Sequence, residues 1–336
     1  MGIQLGNFVS TTTRQRFFNK AVDNAYTGNV LFNRLRSTAR PWTGGRQIVQ
    51  PLIVSNRTQA SSFSSFDTLP TSQEDVRQNA SADPAEYASD PITFSGIQLA
   101  VNKGPEAFLD AMAVEFSDVA RNLAERIGTD LYGDGTGNSS KAINGLVYHV
   151  DDGTSVTLWQ NLSRSTYANL NSTRTAQSGA LGFDDLATDS DAAQRGSDAP
   201  NLIVTTPAVF SIIERLVTPT LFLNYNGPSS SAGAAAGERA GNAINMGATQ
   251  LSWRGAPIIS DEMCTANNIW TLNTNHLFLY QLDYTAETAE MSKEGFSFTG
   301  FKKSQNQAAV VGHLLWAGQL FGDAPRTHAR RTGVTS

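Results

Sequence analysis

One apolar stripe constrains this chain more than any other feature. From Pro105 to Gly133 (PEAFLDAMAVEFSDVARNLAERIGTDLYG), the residues Phe108, Met112, Phe116, Val119, Leu123, Ile127 and Leu131 recur at spacings of three and four. That is the period of a helix with one buried face. Pro105 and Glu106 suit a first helical turn, and Gly133 suits a stop. At 1.5 Å per residue the helix runs about 40 Å, long for a globular domain.

The segments before it read as strands. RQIVQPLIVS, 46–55, carries Pro51, which removes a ladder donor and confines the run to an edge or an isolated pair. PITFSGIQLAV, 91–101, alternates Ile92 and Phe94 and, past a bulge at Gly96, Ile97, Leu99 and Val101. Residues 55–90 between them are rich in Ser, Asn, Asp and Thr. They carry Asp67, Glu74, Asp75, Asp83, Glu86 and Asp90 against Arg57 and Arg77. Two strands flanking a polar connection this long predict a projecting hairpin with an acidic tip.

Beyond the helix the pattern is mixed. NLIVTT (201–206) is strand-like, and Thr206 can cap a helix opening at Pro207. Asp184, Asp185, Asp189 and Asp191 fit the first turns of another helix, where the macrodipole favours acids. Residues 224–247 are low-complexity and predict a surface loop. The end is strand-rich: 255–260, 268–272, 276–282, 295–301 and 308–321. Helices and strands without regular βαβ alternation predict an α+β fold.

Charge divides the chain unevenly. Residues 1–46 hold seven basic groups (Arg14, Arg16, Lys20, Arg34, Arg36, Arg40, Arg46) against Asp23 alone. That net of +6 leaves −11 on the remainder of a chain whose total is −5. A basic arm on an acidic body can bind nucleic acid or the body of an identical neighbour. Charged residues make up only 16 % of the chain, against about 25 % in ordinary soluble domains, which points to surface covered by other chains. The single cysteine, Cys264, excludes an internal disulfide and a thiolate zinc site. No apolar window approaches the eighteen residues a membrane span needs.

No catalytic or ligand motif survives inspection. DLYGDGTGNSSKAINGL (130–146) crowds Gly133, Gly135 and Gly137 with Asp130, Asp134 and Lys141. A phosphate loop needs Gly-Lys-Ser/Thr after a strand, but here Ser140 precedes Lys141 and a helix leads in. A calcium loop fails at Tyr132 and Lys141, which replace oxygen ligands. What remains is a helix stop and a glycine turn into a strand at 142–146. His149, His276, His313 and His328 lack metal spacing and read as packed or interfacial. The five tryptophans are too scattered for a base-stacking platform and read as core or interface.

The order of these elements, LYGDGTGN with INGL behind it, GAPIISDEMCTANNIWTLNTNHLFLY, and HLLWAGQLFGDAPRTHAR together resemble a tailed-bacteriophage major capsid protein of the Hong Kong 97 fold. The resemblance implies an N-terminal arm (1–45), an extended β-hairpin loop (46–102), a peripheral domain with a long spine helix (103–144), an axial domain (145–260) and a return to the peripheral domain (261–336). It implies a structural role without enzymatic activity, cofactor or metal. The subunits would form pentamers and hexamers of an icosahedral shell, assembled in the bacterial cytoplasm and ending in the virion.

Further partners implied are a separate scaffolding protein, since the chain begins at the arm with Met1, a portal protein, a possible decoration protein, and packaged double-stranded DNA by non-specific contact. Arg14, Arg16, Arg34, Arg36 and Arg40, with Asp67, Glu74 and Asp75, are the candidate inter-subunit or DNA-facing contacts. Gly133, Gly135 and Gly137 are the candidate hinge between spine helix and axial domain. The family's type member cross-links a loop lysine to a neighbour's asparagine. Residues 46–102 contain no lysine, so no such cross-link is expected. The competing readings are an encapsulin-like nanocompartment shell, a DNA-binding protein using its basic arm, and a hydrolase or metal enzyme built on the aspartates.

Overall fold

The computed structural model describes residues 29–335 apart from 43, 56, 58–61, 70, 72–75, 102–110, 226–250, 283–290, 294–295 and 305–307. Arg14, Arg16, Glu74, Asp75, the start of the long helix and most of the low-complexity run lie outside the described residues.

The apolar stripe forms a helix over Ala111–Leu131. Val119, Leu123, Ile127 and Leu131 are buried along one face, each contributing about 2 kcal/mol by burial. They lie against the first of two larger sheets. In that sheet Leu314–Gly322 is central, flanked by Leu277–Leu282 and Phe296–Phe298, with Arg40–Pro41 and Met291–Lys293 outermost. Ala85–Ala88 also pairs with Leu314–Gly322. The second sheet runs Leu251–Trp253, Ala256–Ser260, Leu202–Thr205, Ile269–Leu272, Ala329–Thr332, Thr173–Ala176. Two of its pairings are parallel. The α+β expectation holds.

Leu202–Thr205 shows why the second sheet sits between layers. Leu202 and Val204 face the core shared with the long helix. Ile203 faces a separate core with Leu186, Val209 and Ile213 of helices Phe183–Ala193 and Pro207–Tyr225. A strand covered on both faces reads as an unbroken apolar run, as it does here.

Several expectations are corrected. Residues 29–42 of the expected arm fold onto the body. Asn29 caps a helix over Val30–Ser37, its Oδ1 accepting from Phe32 N at 3.0 Å. Leu31, Phe32 and Leu35 enter the main core. Asn29 Nδ2 donates to Ala124 O on the long helix. A Cβ on Gly128 would lie 1.4 Å from that nitrogen, so the helical glycine, about 1 kcal/mol worse than alanine in propensity, is what admits Asn29. The hairpin partner also differs: Ile48–Ile53 pairs with Arg77–Ala82, while Ile92–Ser95 pairs with Ala309–Gly312. Gly96–Val101 is a short helix, not a strand. Residues 308–321 divide into two strands at His313.

Hydrogen bonds and glycine geometry shape the turn after the long helix. Past Leu131, Gly133 N donates to Asp130 O, and Gly135 has φ +82°, the left-handed region glycine favours. The expected strand at 142–146 is instead an irregular run leading into a helix over Leu146–His149. The Tyr87 hydroxyl donates to Asp130 Oδ2 and accepts from Ile143 N, and Asn144 N donates to Gln319 Oε1. Gly145 closes the turn: a Cβ there would meet the carbonyl oxygens of Leu131, Asp130 and Gly133 at 2.4, 2.6 and 2.6 Å. Gly145→Ala therefore destabilises the subunit by about 3 kcal/mol, read as a lower denaturant midpoint. An unchanged midpoint would show that the turn yields freely.

Candidate functional site

The hairpin Ile48–Ile53/Arg77–Ala82 has one face that its own chain covers and one that it does not. Strand period two sends Ile48 and Leu52 inward with Ala80 and Ala82, against Trp159, Leu162, Leu170 and Phe321. The root is held by polar contacts. Ser81 N donates to Gln160 O, Asn161 Nδ2 to Ser81 Oγ at 2.7 Å, Gln47 Nε2 to Asp83 Oδ1 at 2.8 Å and Asn169 Nδ2 to Val54 O.

The same period sends Val49, Pro51 and Ile53 outward, with Val49 55 % and Ile53 71 % exposed. Farther along the same excursion Phe63, Leu69 and, at 98 %, Phe66 are exposed too. Among the described residues the pair forms a two-stranded sheet: the outer edge of Arg77–Ala82 meets Gln160 at Ser81, while that of Ile48–Ile53 pairs with no further strand. Exposed apolar side chains on an excursion from the body are the kind of surface that proteins use for interaction.

The charged residues expected at this surface divide. Asp67 closes a local turn, its Oδ2 accepting from Ser64 N at 2.7 Å. Arg36 stacks over Phe296 at 4.9 Å and Arg40 over Phe278 at 3.4 Å, so both cations lie on rings of their own subunit. Arg34 is half-buried on the same helix. Gly133 and Gly135 lie in the turn described above, and Gly137 opens the short helical segment Gly137–Ser140 that follows it. The outward apolar residues are the surface features that charge reasoning missed. The alternation of Val49, Pro51 and Ile53 in 46–55 is the signal that carries them.

Several polar groups of the interior have structural partners. His149 Nδ1 accepts from Trp159 Nε1 and its Nε2 faces Leu320 O, both at 3.1 Å. Burial pushes its pKa down to about 3, as it does for His328. The aspartate-rich helix carries its acids structurally. Asp185 Oδ2 accepts from Gly182 N, and Asp189 pairs with buried Arg331. Trp159, Trp270 and Trp316 are fully buried. Among the described residues no three metal-ligating side chains gather, and no helix is long and apolar enough to cross a membrane.

Neither a family model nor a curated protein matches this chain. Solved structures do. A chain of the cyanophage A-1(L) capsid asymmetric unit aligns with TM-score 0.74 at 14 % identity, over 98 % of this chain and 99 % of that one. The capsid of a native GTA particle aligns with TM-score 0.63 at 9 % identity over the whole of both chains. The holo-SrpI encapsulin of Synechococcus elongatus PCC 7942 aligns with TM-score 0.62 at 11 % identity, over 99 % of this chain and 96 % of that one. The described residues of the chain share the fold of these capsid and encapsulin subunits.

Proposed function

We propose that this chain is the major capsid protein of a tailed bacteriophage, a structural subunit that assembles into an icosahedral head around double-stranded DNA. The observation that carries the reading is the hairpin, which leaves Val49, Ile53, Phe63, Phe66 and Leu69 exposed on a subunit whose full length aligns with capsid chains. Such a surface gains burial only against another copy, at about 25 cal/mol per Å². Closure of a shell multiplies contacts that are individually weak.

On this reading the long helix is the spine and the first sheet belongs to the peripheral domain. The second sheet with its two helices takes most of the axial domain. The glycine turn at Gly133, Gly135 and Gly137 is the hinge between them. Arg36 and Arg40 anchor the end of the arm to its own subunit. Arg14 and Arg16 are left as candidates for a neighbour or for phosphate, whose neutralisation needs no sequence. Scaffolding, portal and decoration proteins would be partners during assembly in the host cytoplasm. The encapsulin alignment favours a second reading, a nanocompartment enclosing protein cargo.

Expression with the reading frames that flank its gene, followed by electron microscopy, tests the proposal. Closed shells of uniform diameter are expected, and a monomer under every condition overturns it. Portal and terminase genes alongside identify a phage, whereas an enzyme gene with a docking tail identifies the compartment.

A further inference from the structure

His276 ends the short 3-10 turn Thr274–His276, which carries the chain from Ile269–Leu272 in the second sheet to Leu277–Leu282 in the first. Each ring nitrogen meets a carboxylate. Nδ1 lies 2.7 Å from Asp323 Oδ1, and Nε2 is hydrogen-bonded to Asp198 Oδ2. Asp323 directly follows Leu314–Gly322, the central strand of the first sheet. Asp198 closes the Arg195–Asp198 bridge between helix Phe183–Ala193 and strand Leu202–Thr205 of the second. One imidazole therefore joins the loops of both sheets.

The donor count fixes its state. An ionised carboxylate only accepts, and a neutral imidazole has one N–H, so two carboxylates on the two nitrogens are satisfied together only by an imidazolium. Asp198 keeps its other oxygen for Asn273 Nδ2 at 2.8 Å, and Asp323 N donates to His276 O. Behind the ring His328 is buried, its Nδ1 accepting from Asn273 N, and burial keeps it neutral near neutral pH. His149, on the helix beyond, is neutral for the same reason. Arg195, at the far end of the Asp198 bridge, is exposed.

We propose that His276 is a protonation-dependent latch that joins the two sheets when charged and frees their junction when neutral. Burial alone would lower the ring's pKa. Asp198 and Asp323 outweigh burial and hold it above the ordinary 6.5. The latch is thus fully closed below 6.5 and opens as pH rises through the higher folded value. Asp198, held below its ordinary range chiefly by His276 and Asn273, stays ionised through that interval. This inference holds whether or not the chain forms a shell.

Hydrogen exchange of the full chain between pH 6 and 9, corrected for intrinsic rates, tests it. Amides of 195–201 and 274–277 should lose protection by up to about tenfold per pH unit between 6.5 and the folded pKa, and level off above it. In His276→Gln the same amides should show no pH dependence. Wild-type protection that is flat across the interval, or an unchanged slope in His276→Gln, overturns the proposal. Should that variant not fold, Asp323→Asn removes one acceptor and should lower the ring's pKa in an NMR titration. A ring titrating as in the wild type would overturn the proposal equally.

Discussion

The double substitution Val49→Asp/Ile53→Asp leaves a folded subunit that no longer forms shells. Both side chains point away from their own core and are more than half exposed, so within the monomer the change is a surface one, worth less than about 0.5 kcal/mol. Against a neighbour, each side chain contributes about 1.5–3 kcal/mol if fully buried. A carboxylate in its place must be desolvated as well. Losing about 4 kcal/mol from one contact weakens it roughly a thousandfold, and every subunit of a shell repeats the loss. The expected result is a wild-type melting curve with particle yield below detection in sedimentation and micrographs. Normal yield of normal particles would remove the outward hairpin face from the assembly surface.

Arg331→Met has the largest expected effect on the subunit itself. The guanidinium spends all five of its donors. Nε and Nη2 hold Asp189 at 2.7 and 2.9 Å, Nη1 holds Gln177 and Asp185 Oδ1, and the second Nη2 donor takes Asp185 O. Arg331 and Asp189 are both buried, so removing the cation strands a carboxylate that burial already holds above its ordinary pKa. The cost is about 3–5 kcal/mol, measured as a fall in the denaturant midpoint. A carboxyl whose folded pKa is raised stabilises as pH falls through that value, so the variant's deficit narrows on acidification. Asp189→Leu together with Arg331→Met should recover most of the loss, as apolar replacement of a buried pair does. A single variant as stable as the wild type would show that the pair is solvated.

Where the chain announced its structure, it did so through local periodicity. The stripe from Phe116 to Leu131 and the apolar run Leu202–Val204 each belong to one element. The hairpin partner gave no such sign. Arg77–Ala82, RQNASA, has no β-branched or aromatic residue. Its place depends on small Ala80 and Ala82 fitting against Trp159 and Leu162. Ile92–Ser95 looked like the hairpin's second strand because its true partner, Ala309–Gly312, lies more than two hundred residues away. The alternation through Val101 stopped at Gly96, where too few residues remain to tell strand from helix. Val30–Ser37 was legible in retrospect from Asn29 and the spacing of Leu31, Phe32 and Leu35. The exposed face was written in the alternation of 48–53, but alternation alone does not say which side the chain itself will cover.

The middle strand of the first sheet, Leu314–Gly322, and Ala329–Thr332 of the second both come from the last tenth of the polypeptide. Thr173–Ala176 has no ladder partner until Ala329–Thr332 is made, and pairings this distant in sequence form slowly. A nascent chain still on the ribosome therefore has neither sheet complete and cannot present its hairpin from a finished platform. If the chain assembles as proposed, a truncated translation product would lack both sheets' closing strands and so the platform that presents the hairpin.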